Sequence, residues 1–349
     1  MALAGQKARP GQAHRRPQLG DGGKCAGLLG KFARYFEVEP RYVPLTADRY
    51  VIGTDEALQL VNENTIGVVG ILGSTYTGEY EPIAELNDAL MEMNERTGWD
   101  VPIHVDGASG GFVAPFNRPD LLWDFRLPLV RSINASGHKY GLVYPGVGWV
   151  IWRHEADLPA ELVFHVNYLG GDQPTFNLNF SRGAGQVLAQ YYNFLRLGRE
   201  GYVAVIEGLE ATAAYLRRAI EETGHFEVLS KPRTVPLVCF RLQGPRRHYN
   251  VFDIAAHLRQ RGWIVPAYTL APDAQDVAVL RVVVKENFSR DMADLLVGDL
   301  SRTVALLDQA KPARLETAPA RPRAGKGPAS SPPRESRQRA HPRGTHGVC

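Results

Sequence analysis

The hydrophobic pattern of the chain becomes regular near Lys31 and loses its regularity after Gln309. Between these points short apolar runs alternate with segments of helical spacing. Ile66 to Leu72 is a continuous apolar run and predicts a buried strand, and Pro82 to Glu95 predicts a helix with proline near its start. Val101 to Val105, Val130 to Ala135 and Val147 to Trp152 predict further strands. Their largely apolar character, without strict alternation, predicts a central sheet covered on both faces.

Further along, Gly183 to Leu197 and Tyr202 to Glu222 read as two amphipathic helices, interrupted at Gly198 and Gly201 where a domain joint is expected. A strand over Val235 to Leu242, a helix over Val251 to Arg261, a strand over Val277 to Val284 and a helix over Arg290 to Asp308 follow. This order fits a compact α+β second domain. The expected organisation is a disordered segment over 1–30, a first domain over 31–198, a second over 199–309 and a disordered tail over 310–349. Residues 1–30 mix Gly, Pro, Arg, Gln and Ala without a period, and so offer no apolar face to bury.

Composition changes this picture little. With 349 residues, 44% hydrophobic and 22% charged, the body of the chain is expected to fold around a sizeable core. The net charge of +3 concentrates in the ends. From Lys311 onward basic residues outnumber Glu316 and Glu335, and no aromatic residue is interleaved. That composition predicts a solvated tail, with neither nucleic acid nor membrane as partner. Cys25, Cys239 and Cys349 are odd in number and widely spaced, so neither a disulfide framework nor a metal cluster is expected. No apolar run is long enough for a membrane span and no secretory signal is present, so a cytoplasmic location is expected.

Two segments change the picture more. In His104-Val105-Asp106-Gly107-Ala108-Ser109-Gly110-Gly111 a strand ends in an acid followed by small residues. Ligands of open α/β sheets bind beyond the carboxyl ends of strands, which is where Asp106 is expected. In Ser136-Gly137-His138-Lys139-Tyr140-Gly141 a second strand leads into a lysine between two glycines, which let backbone approach a bound ring. An amine able to form a Schiff base, with a carboxylate to pair with a pyridinium nitrogen, is the pair that pyridoxal phosphate demands. Each residue also has an ordinary reading, Asp106 as a turn residue and Lys139 as a surface charge.

The runs HVDGASGGFVAPF (104–116), WDFRLPLVRSINASGHKYGL (123–142) and NFSRGAGQVLAQYYNFLRLGREGY (179–202) resemble bacterial and plant-type glutamate decarboxylases, within the pyridoxal-phosphate decarboxylases. The resemblance extends from about Lys31 to about Gln309. It implies the aspartate-aminotransferase fold (fold type I), here with a truncated, mainly parallel large domain and a smaller α+β C-terminal domain. It also implies conversion of L-glutamate to 4-aminobutanoate and carbon dioxide with pyridoxal 5'-phosphate as cofactor. By resemblance Lys139 is the Schiff-base lysine, Asp106 the pyridinium partner, Ala108 packs on the ring face and Thr75 lies beside the cofactor. Ser136 and His138 match phosphate contacts. Phe180 and Ser181 match a segment reaching the phosphate of a neighbouring subunit, which implies a homodimer with shared active sites. Arg281 matches the arginine that binds the substrate carboxylate, a role suited to a bidentate guanidinium.

The chain also departs from the family pattern. A histidine that stacks on the cofactor precedes the counterpart of Phe32-Ala33-Arg34-Tyr35 in the family, whereas Leu29-Gly30-Lys31 stands here. The Gly-Ser-Ser segment that cradles the phosphate has no counterpart either. Three readings therefore stay open: glutamate decarboxylation, impaired by the lack of the family's N-terminal portion; another pyridoxal-phosphate reaction such as lyase or transaminase chemistry; and a non-catalytic fragment that folds or dimerises but binds the cofactor poorly.

Overall fold

The computed structural model describes residues 18–22, 28–46, 48–168, 170–179, 181–244, 247–270 and 274–310. Six strands form the first sheet: β1 (Gln18–Gly22), β2 (Glu39–Val43), β3 (Thr65–Ile71), β4 (Ile103–Asp106), β5 (Val130–Ser136) and β6 (Gly148–Trp152). Their order is β2-β1-β3-β4-β5-β6, parallel except for β6, which runs antiparallel to β5 at the edge.

The two faces of β3 explain its unbroken apolar run. Val69 packs with Leu29, Ala33 and Val38 around helix α1 (Leu28–Tyr35), whereas Val68 joins the cluster containing Leu86 and Leu90. Adjacent strand residues point to opposite faces, so a strand covered on both sides needs apolar residues at successive positions. The short helix α2 (Thr54–Gln59) adds Ala57 to the second of these clusters. Helix α3 (Ile83–Thr97) buries Ile83, Leu86 and Leu90 at three- and four-residue spacing, and ends at Gly98 in the left-handed conformation that a glycine adopts without strain.

Two expectations need correction. The sheet does not begin beyond Lys31: Gln18–Gly22 already forms β1, paired on both sides by β2 and β3. An inner strand draws on ladder hydrogen bonds from both neighbours, which apolar periodicity does not register. Nor is the sheet covered throughout, because Val150 and Ile151 of β6 are exposed.

After the four-residue helix α4 (Ala114–Asn117), β6 and a small hairpin of β7 (Phe164–Val166) and β8 (Gln173–Thr175), the chain enters α5 (Gly185–Glu222). The two helices expected there meet at a kink at Gly198, whose φ of 56° and ψ of −166° are not helical. Glycine tolerates that conformation and Gly201 is helical. The second half of α5 packs Ile206, Leu216 and Ile220 into a separate core with a second, antiparallel sheet. Its strands β9 (Phe226–Val228), β10 (Leu237–Leu242), β11 (Ala267–Thr269) and β12 (Ala278–Val283) are ordered β11-β12-β10-β9.

Helices α6 (Val251–Gln260) and α7 (Arg290–Gln309) complete this half. Asn250 caps α6 in a capping box with Asp253, and Ser289 accepts the Met292 amide at the start of α7. Asp299 on α7 accepts from Arg261 Nε (2.5 Å), Trp263 Nε1 (2.7 Å) and Arg302 (2.6 Å), tying the end of α6 to α7. The expected tail over 310–349 lies, beyond Ala310, outside the described residues, as do residues 1–17 of the N-terminal segment. No described helix is long and apolar enough to cross a membrane, and the described residues contain no cluster of His, Cys, Asp or Glu able to hold a metal.

Candidate active site

The parallel register of β4 and β5 sets Asp106 beside Asn134 and His104 beside Ser132. Both strands then end, and the loops that follow carry the expected cofactor residues. Asp106 is half-buried, and its Oδ1 accepts the Ala108 amide and Asn134 Nδ2, each at 3.0 Å. Lys139, also half-buried, donates from Nζ to Ser109 Oγ at 3.1 Å. The Ser136 amide donates to Ala108 O at 3.3 Å, so the acid-bearing and lysine-bearing loops are joined through backbone as well. An amine and a carboxylate thus converge at the carboxyl edge of the parallel sheet.

The lysine segment is held from behind by α5. Gln190, fully buried, donates Nε2 to Gly141 O at 2.8 Å and to the Tyr202 hydroxyl at 3.0 Å, and that hydroxyl donates to Gly141 O at 3.1 Å. Asn193 donates to Leu142 O at 2.8 Å, fixing a residue whose φ of 63° is left-handed. Such a conformation costs a leucine about 1–2 kcal/mol, so the surrounding bonds must over-determine it. A Cβ at Gly141 would lie 2.7 Å from both Gln190 Oε1 and Gly137 O, which is why glycine stands two residues after the lysine. Tyr140 points away, donating to Pro236 O at 3.0 Å, and burial raises its phenol pKa.

The second sheet reaches the same region through Arg281 on β12. Its guanidinium donates to Thr75 O and lies 5.5 Å from the Tyr268 ring centroid, and its Nε is buried without a hydrogen-bond partner among the described residues. Tyr268 in turn donates to Tyr76 O at 2.9 Å. Arg281 and Thr75, 206 residues apart in sequence, are therefore neighbours. Thr75 and His138 are exposed, while Ser136 and Ala108 are half-buried. Ser181 is exposed on the loop before α5, and Phe180 lies outside the described residues.

A family model described as the pyridoxal-dependent decarboxylase conserved domain matches residues 4–243. The chain belongs to this family. The match starts ahead of Lys31, in keeping with the early strand β1. Glutamate decarboxylase 3 of Arabidopsis thaliana is 57% identical over 298 residues, covering 85% of this chain and 59% of the relative. The glutamate decarboxylase of Petunia hybrida is 56% identical over 293 residues, covering 84% and 58%. Among solved structures, Lactobacillus brevis glutamate decarboxylase superposes with a TM-score of 0.82 at 43% identity, covering 85% of this chain and 67% of that one. The chain thus spans about three-fifths of the curated relatives' length. Its architecture is that of the pyridoxal-phosphate decarboxylases of fold type I, with a mainly parallel sheet.

Several residues around this candidate site have no role assigned from sequence: Ser109, Ser132, Asn134, Gln190, Asn193 and Tyr202. Ser132 and Asn134 had a weak signal, since alternate strand positions face one side together, although Arg131 and Ser136 make the strand polar at other positions too. Gln190 and Tyr202 had none, because their contacts with Gly141 span 49 and 61 residues.

Proposed function

We propose that this chain carries the pyridoxal 5'-phosphate site of a glutamate decarboxylase and converts L-glutamate to 4-aminobutanoate and carbon dioxide. The observation that carries the proposal is the convergence of the Lys139 amine and the Asp106 carboxylate at adjoining strand ends, linked through Ser109, Ala108 and Ser136. That residue set fits the cofactor: an amine for its aldehyde, and a carboxylate to pair with its ring nitrogen. When bound, the cofactor supplies an electron sink for the pair left as the α-carboxyl group departs.

In this reading Lys139 holds the cofactor covalently and Asp106 keeps a proton on the ring nitrogen by electrostatic attraction. Ala108 lines the ring face and Thr75 its flank, with Ser136 and His138 donating toward the phosphate. Arg281, whose guanidinium reaches Thr75 O beside the site, receives the substrate carboxylate. Glutamate as substrate is supported by the relatives that bear that name. Phe180 and Ser181 serve the phosphate of a second copy of the chain. The exposure of Leu188, Tyr191, Tyr192 and Leu195 on the first half of α5 supports such a pairing, since a contiguous apolar face of this kind usually meets a partner. The cytoplasm is the proposed compartment.

The test is to incubate the purified chain with the cofactor and glutamate, then measure visible cofactor absorbance, carbon dioxide release and keto-acid formation. Borohydride reduction followed by peptide mapping is expected to place the cofactor on Lys139, and Lys139→Ala to abolish both label and absorbance. A label at another lysine would refute the assignment, and keto acid in place of carbon dioxide would indicate transaminase chemistry. Exposure of His138 and Thr75 favours a second reading, a family member that folds yet holds the cofactor weakly. Labelling that needs cofactor far above enzyme concentration, without carbon dioxide release, would favour it.

A further inference from the structure

Asp106 is the end of a chain of buried polar groups that crosses β4 and β5. His104 is 4% exposed and Ser132 5%. His104 Nδ1 lies 2.7 Å from Ser132 Oγ and Nε2 lies 2.9 Å from Asn134 Oδ1. Asn134 Nδ2 then donates to Asp106 Oδ1 at 3.0 Å. We propose that Ser132, His104 and Asn134 form a directional hydrogen-bond relay that fixes the orientation of the Asp106 carboxylate, making His104 and Asn134 positioning residues for the cofactor site.

The direction follows from donor and acceptor chemistry together with a neutral imidazole. A carboxylate only accepts, so Asn134 turns its amide nitrogen to Asp106, and the reverse orientation would set two acceptors against each other. Asn134 Oδ1 therefore faces His104, and Nε2 must carry the imidazole proton. Nδ1 is then bare and accepts the Ser132 hydroxyl. One tautomer of His104 satisfies every member, and burial, opposed by the nearby Asp106, holds its pKa below the ordinary value, consistent with a neutral ring. Buried relays of this kind fix a reactive group the way outer residues orient metal ligands. The strand register supplies the spacing, because His104 and Asp106 lie two apart on β4, opposite Ser132 and Asn134 on β5.

The relay's relevance to cofactor chemistry rests on the proposed function, but its direction does not. Long-range nitrogen–proton NMR on the 15N-histidine-labelled chain at pH 7.5, without cofactor, reads the tautomer of His104, assigned by the peak lost in His104→Gln. The expected signal is a neutral ring protonated at Nε2, and an Nδ1-protonated or doubly protonated ring would overturn the relay. Titration with pyridoxal 5'-phosphate then tests positioning. His104→Leu is expected to weaken cofactor binding about tenfold, in line with losses of outer orienting residues. His104→Gln, which both donates and accepts, should recover most of that loss. Equal binding by wild type and His104→Leu, with matching melting temperatures, would refute positioning. Failure of the wild type to bind would sink the functional reading and leave the tautomer result to decide the relay.

Discussion

The packing behind Lys139 predicts that one chemical change, glycine to alanine, has opposite effects at two positions. At Gly141 the added methyl would sit 2.7 Å from Gly137 O and 2.8 Å from Gly137 Cα, besides 2.7 Å from Gln190 Oε1. Carbon atoms pack best at about 3.5–4.0 Å, so the clash is with backbone that is itself bonded into the loop. Gln190 cannot swing aside without losing its bonds to Gly141 O and the Tyr202 hydroxyl. Overpacking of this kind costs about 1–3 kcal/mol, which is the loss expected for Gly141→Ala. At Gly208, on the exposed surface of α5, no atom lies within 4 Å of an added Cβ. There alanine removes backbone freedom from the unfolded chain, and Gly208→Ala is expected to gain about 0.5–1 kcal/mol. Urea unfolding followed by circular dichroism measures both, with the slopes compared to confirm that the unfolded surface is unchanged. The variants should lie roughly 1.5–4 kcal/mol apart, the sum of those two effects. Gly141→Ala should also slow borohydride labelling of Lys139, because the segment that presents the amine has moved. A Gly141→Ala midpoint at or above that of wild type would show that the loop is not clamped as described.

Asp106→Asn should leave borohydride labelling of Lys139 intact while lowering carbon dioxide release by at least about a hundredfold, the order seen when a preorganised electrostatic partner is removed. Unchanged turnover would remove Asp106 from its role. Asp299→Leu should destabilise the chain by about 1–3 kcal/mol, since Arg261, Trp263 and Arg302 lose their shared acceptor. The same substitution should alter the response to acid. Burial alone would raise the Asp299 pKa, but hydrogen bonds from Arg302, Trp263 and Arg261 outweigh it and bring the carboxyl down to about 2. A folded-state pKa below the ordinary 3.8 adds stability that is complete above that pH and is lost as pH falls toward 2. Unfolding midpoints collected across that range should show a steeper acid loss in wild type than in Asp299→Leu, and parallel curves would contradict the assignment.

Local pattern alone disclosed the elements that bury a regular face. Ile66 to Leu72, the helix after Pro82 and the strand over Val277 to Val284 were legible because burial on one or two faces imposes a period on the residues themselves. The strand β1 was not, because Gln18–Gly22 is held by pairing with β2 and β3 rather than by an apolar period of its own. Edge strand β6 misled for the converse reason: its composition is apolar, but the described residues leave Val150 36% and Ile151 51% exposed.

For the site, the sequence by itself named the candidate residues. Asp106 and Lys139 each follow a predicted strand and stand among small residues, so their type, local setting and pairing as carboxylate and amine were readable, and the family resemblance added the neighbouring roles. What only the tertiary structure decided is how they are held. The register of β4 against β5 aligned His104 with Ser132 and Asp106 with Asn134, and no single strand encodes the register of its neighbour. The clamp of Gln190, Asn193 and Tyr202 on the lysine segment, and the meeting of Arg281 with Thr75, join residues dozens to hundreds of positions apart. A hydrogen bond depends on distances of a few ångströms and a particular direction, and chain separation carries no information about either until the fold closes.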